Sequence, residues 1–186
     1  MPGAADTRRD RELLGDLASG SADAFAELYD RHAASLYRHA VALTRQVADA
    51  EDLVHAVFVK LATTGAELLG VRAPASYLHR MLHTTWIDGR RRKTTGEQVV
   101  THVGRERVAW SGAAAGAVED AIDLARVLEG IPAAEREVIV LHLTEGFSFR
   151  EIGRMTGVSL FTAAGRYRQG VRRLRQSFGV NTGEDE

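Results

Sequence analysis

The sequence predicts an all-α protein made of two small helical domains that a linker joins. Alanine is abundant and runs of β-branched residues are short, which favours helix over strand. Apolar residues recur at spacings of three, four and seven, the period of one helix face. This period is lost between residues 94 and 118, so the predicted domains are residues 1–93 and 119–186.

Composition argues against several classes of protein. The chain has 186 residues, a formal net charge of −1 and no cysteine, which excludes a disulfide framework and a thiolate metal site. Its seven histidines form no His-Glu-x-x-His pair, so we expect neither a metal site nor a cofactor. The polar N-terminus does not resemble a secretory signal, and no apolar run approaches the roughly 20 residues that a membrane helix needs. We therefore expect a cytoplasmic protein without membrane insertion.

The N-terminal domain is predicted to contain three helices with apolar inner faces. The first covers residues 22–45, and the third begins just after Pro74. The second is expected to begin at Asp49, whose side chain would cap it, with Glu51 and Asp52 in the first turn near the positive end of the helix dipole. The inner faces are formed by Phe25, Leu28, Tyr29, Leu36, Tyr37, Ala40, Leu43, Ala50, Leu53, Val54, Val57, Phe58, Leu61, Leu78, Met81 and Leu82.

The segment 94–118 is predicted to be a linker because residues 111–117, "SGAAAGA", are small and Gly-rich. Beyond it, glycines at 130, 146 and 157 separate four predicted helices. Their ranges are 119–129, 133–144, 149–156 and 159–178.

The last two predicted helices have the features of a helix-turn-helix. Ser148 and Glu151 fit a capping box, Gly157 tolerates the left-handed conformation that ends a helix, and Ser159 can cap the next one. Gly153 costs about 1 kcal/mol relative to Ala inside a helix, which suggests close packing there. Two helices joined by a short Gly-containing turn form a helix-turn-helix.

The final helix separates an apolar face from an arginine-rich face. From Leu160 to Gln176 it carries five arginines and no acid. On a helical wheel the inner arc holds Ala163, Tyr167, Gly170, Val171, Leu174 and Phe178, and one outer face holds Thr162, Gly165, Arg166, Gln169 and Arg173. A recognition helix presents such a face to the major groove, where Arg pairs with guanine and Gln with adenine. The alternative is an ordinary solvated surface.

Three stretches in order resemble bacterial RNA polymerase sigma factors of the extracytoplasmic-function (ECF) group. The first, residues 24–61, holds "AFAELYDRH" and "DAEDLVHAVFVKL"; the second, residues 76–92, is "SYLHRMLHTTWIDGRRR". The third is the helix-turn-helix with the helix before it, residues 131–175. The resemblance covers about residues 10–93 and 119–178.

This resemblance implies a two-domain adaptor for core RNA polymerase with no catalysis of its own and no small-molecule substrate. The N-terminal domain, region 2, would dock on the polymerase clamp and capture the melted −10 element. The C-terminal domain, region 4, would lie on the flap and bind the −35 element. An anti-sigma factor commonly holds such proteins inactive.

The resemblance also implies roles for individual residues. Asp52 and His55 match the core-polymerase-binding helix, with His55 where Gln is usual. The −10 and strand-opening segment is matched by Tyr77, Arg80, Thr84, Trp86, Asp88, Arg90, Arg91 and Arg92. Tyr77 replaces a usual Trp, Thr84 a usual Asn, and Ala163 to Gly165 a frequent Val-Lys-Ser. Either Trp86 or Tyr77 could stack on an unpaired base or pack in the core.

Three other classes stay open at this point. A helix-turn-helix regulator that works without polymerase would explain residues 148–178 but not the N-terminal motifs. A degenerate sigma-like interaction module would dock on polymerase or an anti-sigma factor without starting transcription. An enzyme is the weakest alternative, because His83 and Asp88 form a lone pair without nucleophile, metal ligands or phosphate loop.

Overall fold

The computed structural model describes the backbone of residues 4–95 and 112–178, and their side chains except those of residues 4, 5, 93, 95 and 112–118. Every regular element in these ranges is helical, which confirms the predicted all-α class. The helices are α1 (Ala4–Ala18), α2 (Ala22–Thr44), α3 (Val47–Thr63), α4 (Pro74–Thr95), α5 (Gly112–Val127), α6 (Ala133–Ile139), α7 (Phe149–Thr156) and α8 (Leu160–Ser177), with a 3-10 turn at Ala66–Gly70 and a π-helical turn at Val140–Thr144.

The N-terminal core lies between α1, α2, α3 and α4. Its largest buried side chains include Leu28, Leu36, Tyr37, Val54, Phe58, Leu61, Leu78 and Leu82, most of the predicted apolar stripes. The sequence does not predict helix α1, because nearly half of its residues are charged and its apolar stripe is short. Its apolar contribution is Leu13 and Leu14, and its Asp10 accepts hydrogen bonds from Arg31 (2.7 Å) and His32 (3.0 Å) of α2.

The predicted cap of α3 is wrong. The helix begins at Val47 with Gln46 at the N-cap, and no side chain there caps it. Arg45 has a left-handed backbone with φ of 62°, which turns the chain sharply after α2 and starts the next helix early. Asp49 therefore lies in the first turn, where it still complements the helix dipole.

Both ends of the predicted linker are helical. Helix α4 continues to Thr95 and α5 begins at Gly112, because the Ala-rich segment favours helix more than its glycines oppose it. Ala121 is buried in the N-terminal core, so α5 packs along α2. Residues 99–103 and Trp110, other features of the linker, lie outside the described residues.

The C-terminal domain packs α7 and α8 around α6. Its core consists of Val138, Leu141, Phe147, Ile152, Met155 and Ala163. The predicted helix 133–144 is present, but its last five residues form a π-helical turn that the Glu145 N–H closes on the carbonyl of Val140 (3.1 Å).

The two domains meet at a buried polar interface that centres on two adjacent residues of α6. The Arg136 guanidinium donates to the carbonyls of Ala42 (2.7 Å), Leu43 (3.5 Å) and Ile131, and so satisfies free carbonyls in the last turn of α2. The Glu137 carboxylate accepts from His39 of α2 (2.9 Å) and His83 of α4 (2.6 Å).

A second carboxylate crosses the same interface about two helical turns further along the chain. Glu145 accepts two hydrogen bonds from Arg38 (2.7 and 3.1 Å) and one from the Ser35 hydroxyl (2.5 Å). The Ser35 hydroxyl is also 2.9 Å from His79 Nε2, and the His79 ring lies 5.1 Å from the ring of Phe147. Side chains from both domains thus enclose His79.

These surroundings shift two pKa values in the interface. Burial lowers the pKa of His79 well below 6.5, and the positive charges of His39, His32 and Arg38 add to this effect. Burial alone would raise the pKa of Glu137, but hydrogen bonds from His39 and His83 outweigh it and lower the pKa to about 2. His79 is therefore neutral and Glu137 ionised in the folded protein.

We predict that the free energy of unfolding falls as the pH drops below 6.5, because the unfolded chain then protonates His79 while the folded chain keeps it neutral. The contribution of one such group approaches about 1.4 kcal/mol per pH unit. Glutamine does not titrate, so His79→Gln should reduce the change of the free energy of unfolding with pH. Urea denaturation at several pH values between about 7.5 and 5.5 measures it.

The comparison isolates His79 because its neighbours are unchanged in the variant. They are His39 and Ser35 of α2 and Phe147, with His32 and Arg38 acting through charge. Equal slopes for the variant and the wild type would contradict a buried, neutral His79.

Candidate nucleic-acid interface

The helix-turn-helix is built as its capping residues predict. The Ser148 hydroxyl accepts from the Glu151 N–H (3.3 Å), and the Glu151 carboxylate accepts from the Ser148 N–H (2.8 Å), which completes a capping box. Helix α7 ends at Gly157 with φ of 72°. The Ser159 hydroxyl then caps α8 by accepting from the Thr162 N–H (3.0 Å).

Gly153 permits the close approach within this motif. A Cβ atom at Gly153 would lie 2.7 Å from the carbonyl oxygen of Val158, which is backbone and cannot move aside cheaply. The packing role that the sequence suggests for Gly153 is therefore confirmed. Gly170 plays a similar part between α8 and α6, where a Cβ would lie 2.6 Å from Ile139 Cδ1.

Helix α8 has the two predicted faces, with two exceptions. Ala163 and Gly170 are buried, and Tyr167 and Leu174 pack against the interior. Phe178, predicted on the inner arc, is 62% exposed because the helix ends at Ser177 beyond the packed core. Arg173, predicted on the outer face, has its Nε 3.0 Å from a Glu135 carboxylate oxygen, so it leans towards α6.

The remaining outer-face residues share one accessible surface at the start of α8. Thr162 and Gln169 are exposed, and Gly165 and Arg166 are half-buried. Phe161, which the sequence reasoning missed, is 78% exposed beside them. Its wheel position, one turn before Gly165, is the signal that could have placed it there.

Helix α4 carries the second set of predicted residues. Arg80, Asp88, Arg90, Arg91 and Arg92 are exposed, while Tyr77, Thr84 and Trp86 are half-buried. The rings of Tyr77 and Trp86 pack against the N-terminal core, and the Arg90 guanidinium lies 5.2 Å from the Trp86 ring centre. The Thr84 hydroxyl donates to the Met81 carbonyl (2.9 Å).

One face of α4 borders the C-terminal domain. Arg80, Thr84, Asp88 and Arg91 line a cleft whose opposite wall is the end of α7, residues 154–157. The structure thus brings the predicted −10 residues together on one helix, but it places part of them against the other domain.

Helix α3 presents the third predicted surface. Asp52 is exposed and His55 half-buried. Val59, a further turn along the same face, is an exposed apolar side chain that the sequence reasoning did not single out. Spacings of three and four residues align these positions on one stripe.

Neither a metal centre nor a membrane helix is found in the part of the chain that the structure describes. No group of three or more His, Asp or Glu side chains there could hold a metal ion. None of the described helices is long and apolar enough to span a bilayer.

Comparisons with known proteins agree with this division into two helical parts. The family model for Sigma-70 region 2 matches residues 28–95, and the model for Sigma-70 region 4 matches residues 127–176. The RNA polymerase sigma factor CarQ of Myxococcus xanthus is 30% identical over 86% of this chain and 92% of its own. The ECF RNA polymerase sigma factor SigM of Mycobacterium tuberculosis strain H37Rv is 29% identical over 97% of this chain and 91% of SigM.

The chain belongs to the ECF sigma factors. As a sigma factor it binds core RNA polymerase and directs promoter recognition and transcription initiation. The region 2 match covers most of α2 and all of α3 and α4, and the region 4 match covers α6, α7 and nearly all of α8. Helix α1 lies outside both matches.

Solved structures share the fold. CnrH in complex with the cytosolic domain of CnrY aligns with a TM-score of 0.63 at 23% identity, over 94% of this chain and 99% of CnrH. The sigma factor RpoE of Bartonella quintana, in complex with the anti-sigma factor NepR, aligns with a TM-score of 0.60 at 24% identity. The alignment covers 83% of this chain and 98% of RpoE.

We predict that Gly153→Ala destabilises the sigma factor by about 1–3 kcal/mol, because the added methyl group must displace the backbone of the turn. Gly165→Ala is the matched control, since nothing lies within 4 Å of a Cβ there. It should be neutral or stabilising by up to about 1 kcal/mol, the helix propensity difference. Chemical denaturation of both variants measures the free energy of unfolding, and equal stabilities would rule out the close approach at Gly153.

Proposed function

We propose that Thr162, Gly165, Arg166 and Gln169 of α8 contact the base edges of the −35 element. The observation that carries this proposal is their shared, accessible surface at the start of α8, directly after the turn. The N-terminal part of a recognition helix is the part that enters the major groove. Arg173 contributes less in this proposal, because its guanidinium is paired with Glu135.

Phe161 adds an apolar contact to this surface. A large side chain that is 78% exposed at the first turn of α8 finds few partners within its own domain. In a major groove the C5-methyl group of thymine offers one. We infer that Phe161 favours a thymine within the −35 element.

We propose that α4 binds the −10 element through Arg80, Thr84, Asp88, Arg90, Arg91 and Arg92. The guanidinium groups suit phosphates of the melted strand. Trp86 and Tyr77 support the helix from the core side, and Trp86 presents its remaining surface next to Arg90. A base that stacks on that surface would gain about 1–3 kcal/mol.

We propose that Asp52, His55 and Val59 of α3 form part of the contact with core polymerase. An acid, an imidazole and an exposed apolar group on one stripe suit an interface with a basic and partly apolar partner. Residues 1–93 and 119–186 would act as the two functional domains, with residues 94–118 between them.

Two further properties are inferred from relatives. The solved relatives CnrH and RpoE were each captured with another protein, named for RpoE as an anti-sigma factor. We infer that an anti-sigma factor also binds this protein, that it acts in the cytoplasm, and that it has no catalytic activity of its own.

We predict that Asp52→Arg weakens binding to core polymerase at least about tenfold, because reversed charge opposes complementarity at an interface. The control is Asp23→Arg, the same change at an exposed first-turn acid of α2. Competition with wild-type protein for labelled core polymerase measures both. If Asp52→Arg competes as well as Asp23→Arg, Asp52 serves its helix alone.

We predict that Arg166→Ala weakens binding to the cognate −35 element by about 1–3 kcal/mol. It should also reduce the difference in affinity between the cognate element and a scrambled one. Arg175, exposed in the last turn of α8, is the control. Arg175→Ala should weaken binding to all DNA sequences equally, if it weakens binding at all. It should also reduce the dependence of affinity on salt concentration by about one phosphate contact.

The measurement uses holoenzyme with promoter fragments that carry an intact or a scrambled −35 element, at several salt concentrations. Equal, sequence-independent losses from both substitutions would show that α8 presents a general electrostatic face.

A further inference from the structure

A continuous row of hydrogen bonds joins two buried carboxylates of the domain interface. It runs from the Glu145 carboxylate to the Ser35 hydroxyl (2.5 Å) and on to His79 Nε2 (2.9 Å). It continues from His79 Nδ1 to His39 Nδ1 (3.0 Å) and from His39 Nε2 to the Glu137 carboxylate (2.9 Å). We call these five side chains the histidine network. Both domains contribute to it, so it is complete only where they touch.

The histidine network needs one proton more than its neutral side chains supply. A carboxylate only accepts, so each of the four hydrogen bonds between the two carboxylates takes its proton from the side chains in between. The serine hydroxyl and two neutral imidazoles supply one proton each. With three protons, two acceptors would face each other at one of these four contacts.

Burial prevents water from making up the difference. His39 and His79 are 0% and 2% exposed, and the ring of Phe147 lies 5.1 Å from the ring of His79. The carboxylates of Glu137 and Glu145 are buried as well. Because a buried acceptor without a donor is destabilising, the geometry calls for a fourth proton.

One position in the network suits this proton. Two hydrogen bonds from Arg38 (2.7 and 3.1 Å) keep Glu145 ionised. Glu137 is ionised as well, with a pKa of about 2, and burial lowers the pKa of His79 well below 6.5. His39 remains. As an imidazolium it donates from Nδ1 to His79 and from Nε2 to Glu137, and the two positive charges of the site balance its two carboxylates.

We propose that the histidine network is a binding site for one proton, carried by His39, and that this proton couples the packing of the two domains to pH. Without it, acceptors face each other across the interface. With a second proton on His79, the two Nδ1–H groups of His39 and His79 would face each other instead. The hydrogen bonds of the interface are therefore complete at one proton count, and both acid and alkali weaken the packing.

The other charged or titratable groups around the network do not change this count. They come from α1, α2, α4 and α6 and are Asp10, His32, Arg38, His83 and Arg136. Arg38 and His83 donate to the two terminal carboxylates from outside the row, and Arg136 donates to carbonyls of α2. They supply no proton to the contacts between the carboxylates.

The bound proton makes the stability fall on the alkaline side. Above pH 6.5 the histidines of the unfolded chain are neutral while the folded network keeps its proton, so the folding equilibrium constant falls up to about tenfold per pH unit as the pH rises. Below pH 6.5 the unfolded chain holds protons on both His39 and His79 but the network holds one, so the constant falls as the pH drops. The acid side therefore belongs to His79 and the alkaline side to the bound proton.

Glu145→Gln tests the proton count, because the glutamine amide supplies the missing proton. The amide donates to Ser35, and each later group donates to the next as far as Glu137, so all four hydrogen bonds form with neutral histidines. Ser35→Ala is a second test. It leaves the two hydrogen bonds of His39, which two neutral imidazoles complete.

Glu129→Gln is the matched control for the loss of a carboxylate. Glu129 pairs with Arg45 at 3.6 Å on the exposed rim of the interface, outside the histidine network. This variant should keep the bound proton.

Nitrogen-15 NMR of the full chain labelled at histidine detects the proton, since imidazolium and neutral imidazole nitrogens have different chemical shifts. The spectrum is recorded at about pH 7.5, one unit above the ordinary histidine pKa. We expect the His39 signal, assigned by its absence from His39→Gln, to be that of an imidazolium in wild type and Glu129→Gln. In Glu145→Gln and Ser35→Ala it should be that of a neutral ring.

Urea denaturation between about pH 6.5 and 8.5 measures the coupling to stability. The folding equilibrium constant should fall with rising pH in wild type and Glu129→Gln, by up to about tenfold per pH unit. This fall should be smaller in Glu145→Gln and Ser35→Ala.

A neutral His39 in wild type overturns the proposal, and so does an imidazolium at His39 in the folded Glu145→Gln and Ser35→Ala variants. Equal alkaline slopes in all four proteins overturn the coupling to stability. Should circular dichroism show that Glu145→Gln is unfolded, Ser35→Ala and the wild-type spectrum decide. None of these measurements involves DNA or polymerase, so they stand apart from the proposed contacts with promoter and core.

Discussion

Two adjacent charged residues of α6, Arg136 and Glu137, impose the constraint on which the packing of the two domains depends. Neither charge can be buried without partners, and nearly all of those partners lie in the other domain. Arg136 satisfies carbonyls where α2 ends, and Glu137 joins α2 to α4 through two histidines. The register of α6 against the N-terminal domain follows from these contacts, and with it the position of α7 over α4. The placement of α4 relative to α8 thus depends on these polar contacts together with the apolar cluster of Ala42, Leu128, Ile131 and Val140 across the same interface.

Helix boundaries could be predicted from the sequence where interactions between residues close in the chain determine them. Ser148, Glu151 and Gly157 define α7 because capping and left-handed glycine act within a few residues. Helix α1 is missed because its apolar residues, Leu13, Leu14 and Leu17, span only its last turns, and its Asp10 is bonded to a helix distant in the sequence. The sequence predicts Asp49 as the cap of α3 because the sharp turn at Arg45 leaves no signal in residue type. The sequence predicts a linker over all of residues 94–118, although alanine extends α5 back to Gly112.

The candidate site divides in the same way. The outer face of α8 follows from helical periodicity, so Thr162, Gly165, Arg166 and Gln169 could be grouped without a structure. The pairing of Arg173 with Glu135 could not, since it depends on how α8 crosses α6. Likewise the partners His39 and Glu137 are 98 residues apart in the chain, and nothing in their local sequence connects them. Residue patterns of this kind indicate what a helix can contact, whereas tertiary packing decides which of those groups remain available. The family match shows that the protein is a sigma factor, and the assignment of single residues to promoter elements stays a prediction.

The central claim is that this chain programs core RNA polymerase to start transcription at promoters that both of its domains recognise. Run-off transcription with purified core polymerase on a library of genomic fragments tests it most directly. The account predicts discrete transcripts that need the sigma factor and whose start sites share two upstream elements at a fixed spacing. Binding to core polymerase without any transcript above the level of core alone would contradict it and would indicate a sigma-like protein that docks but does not initiate.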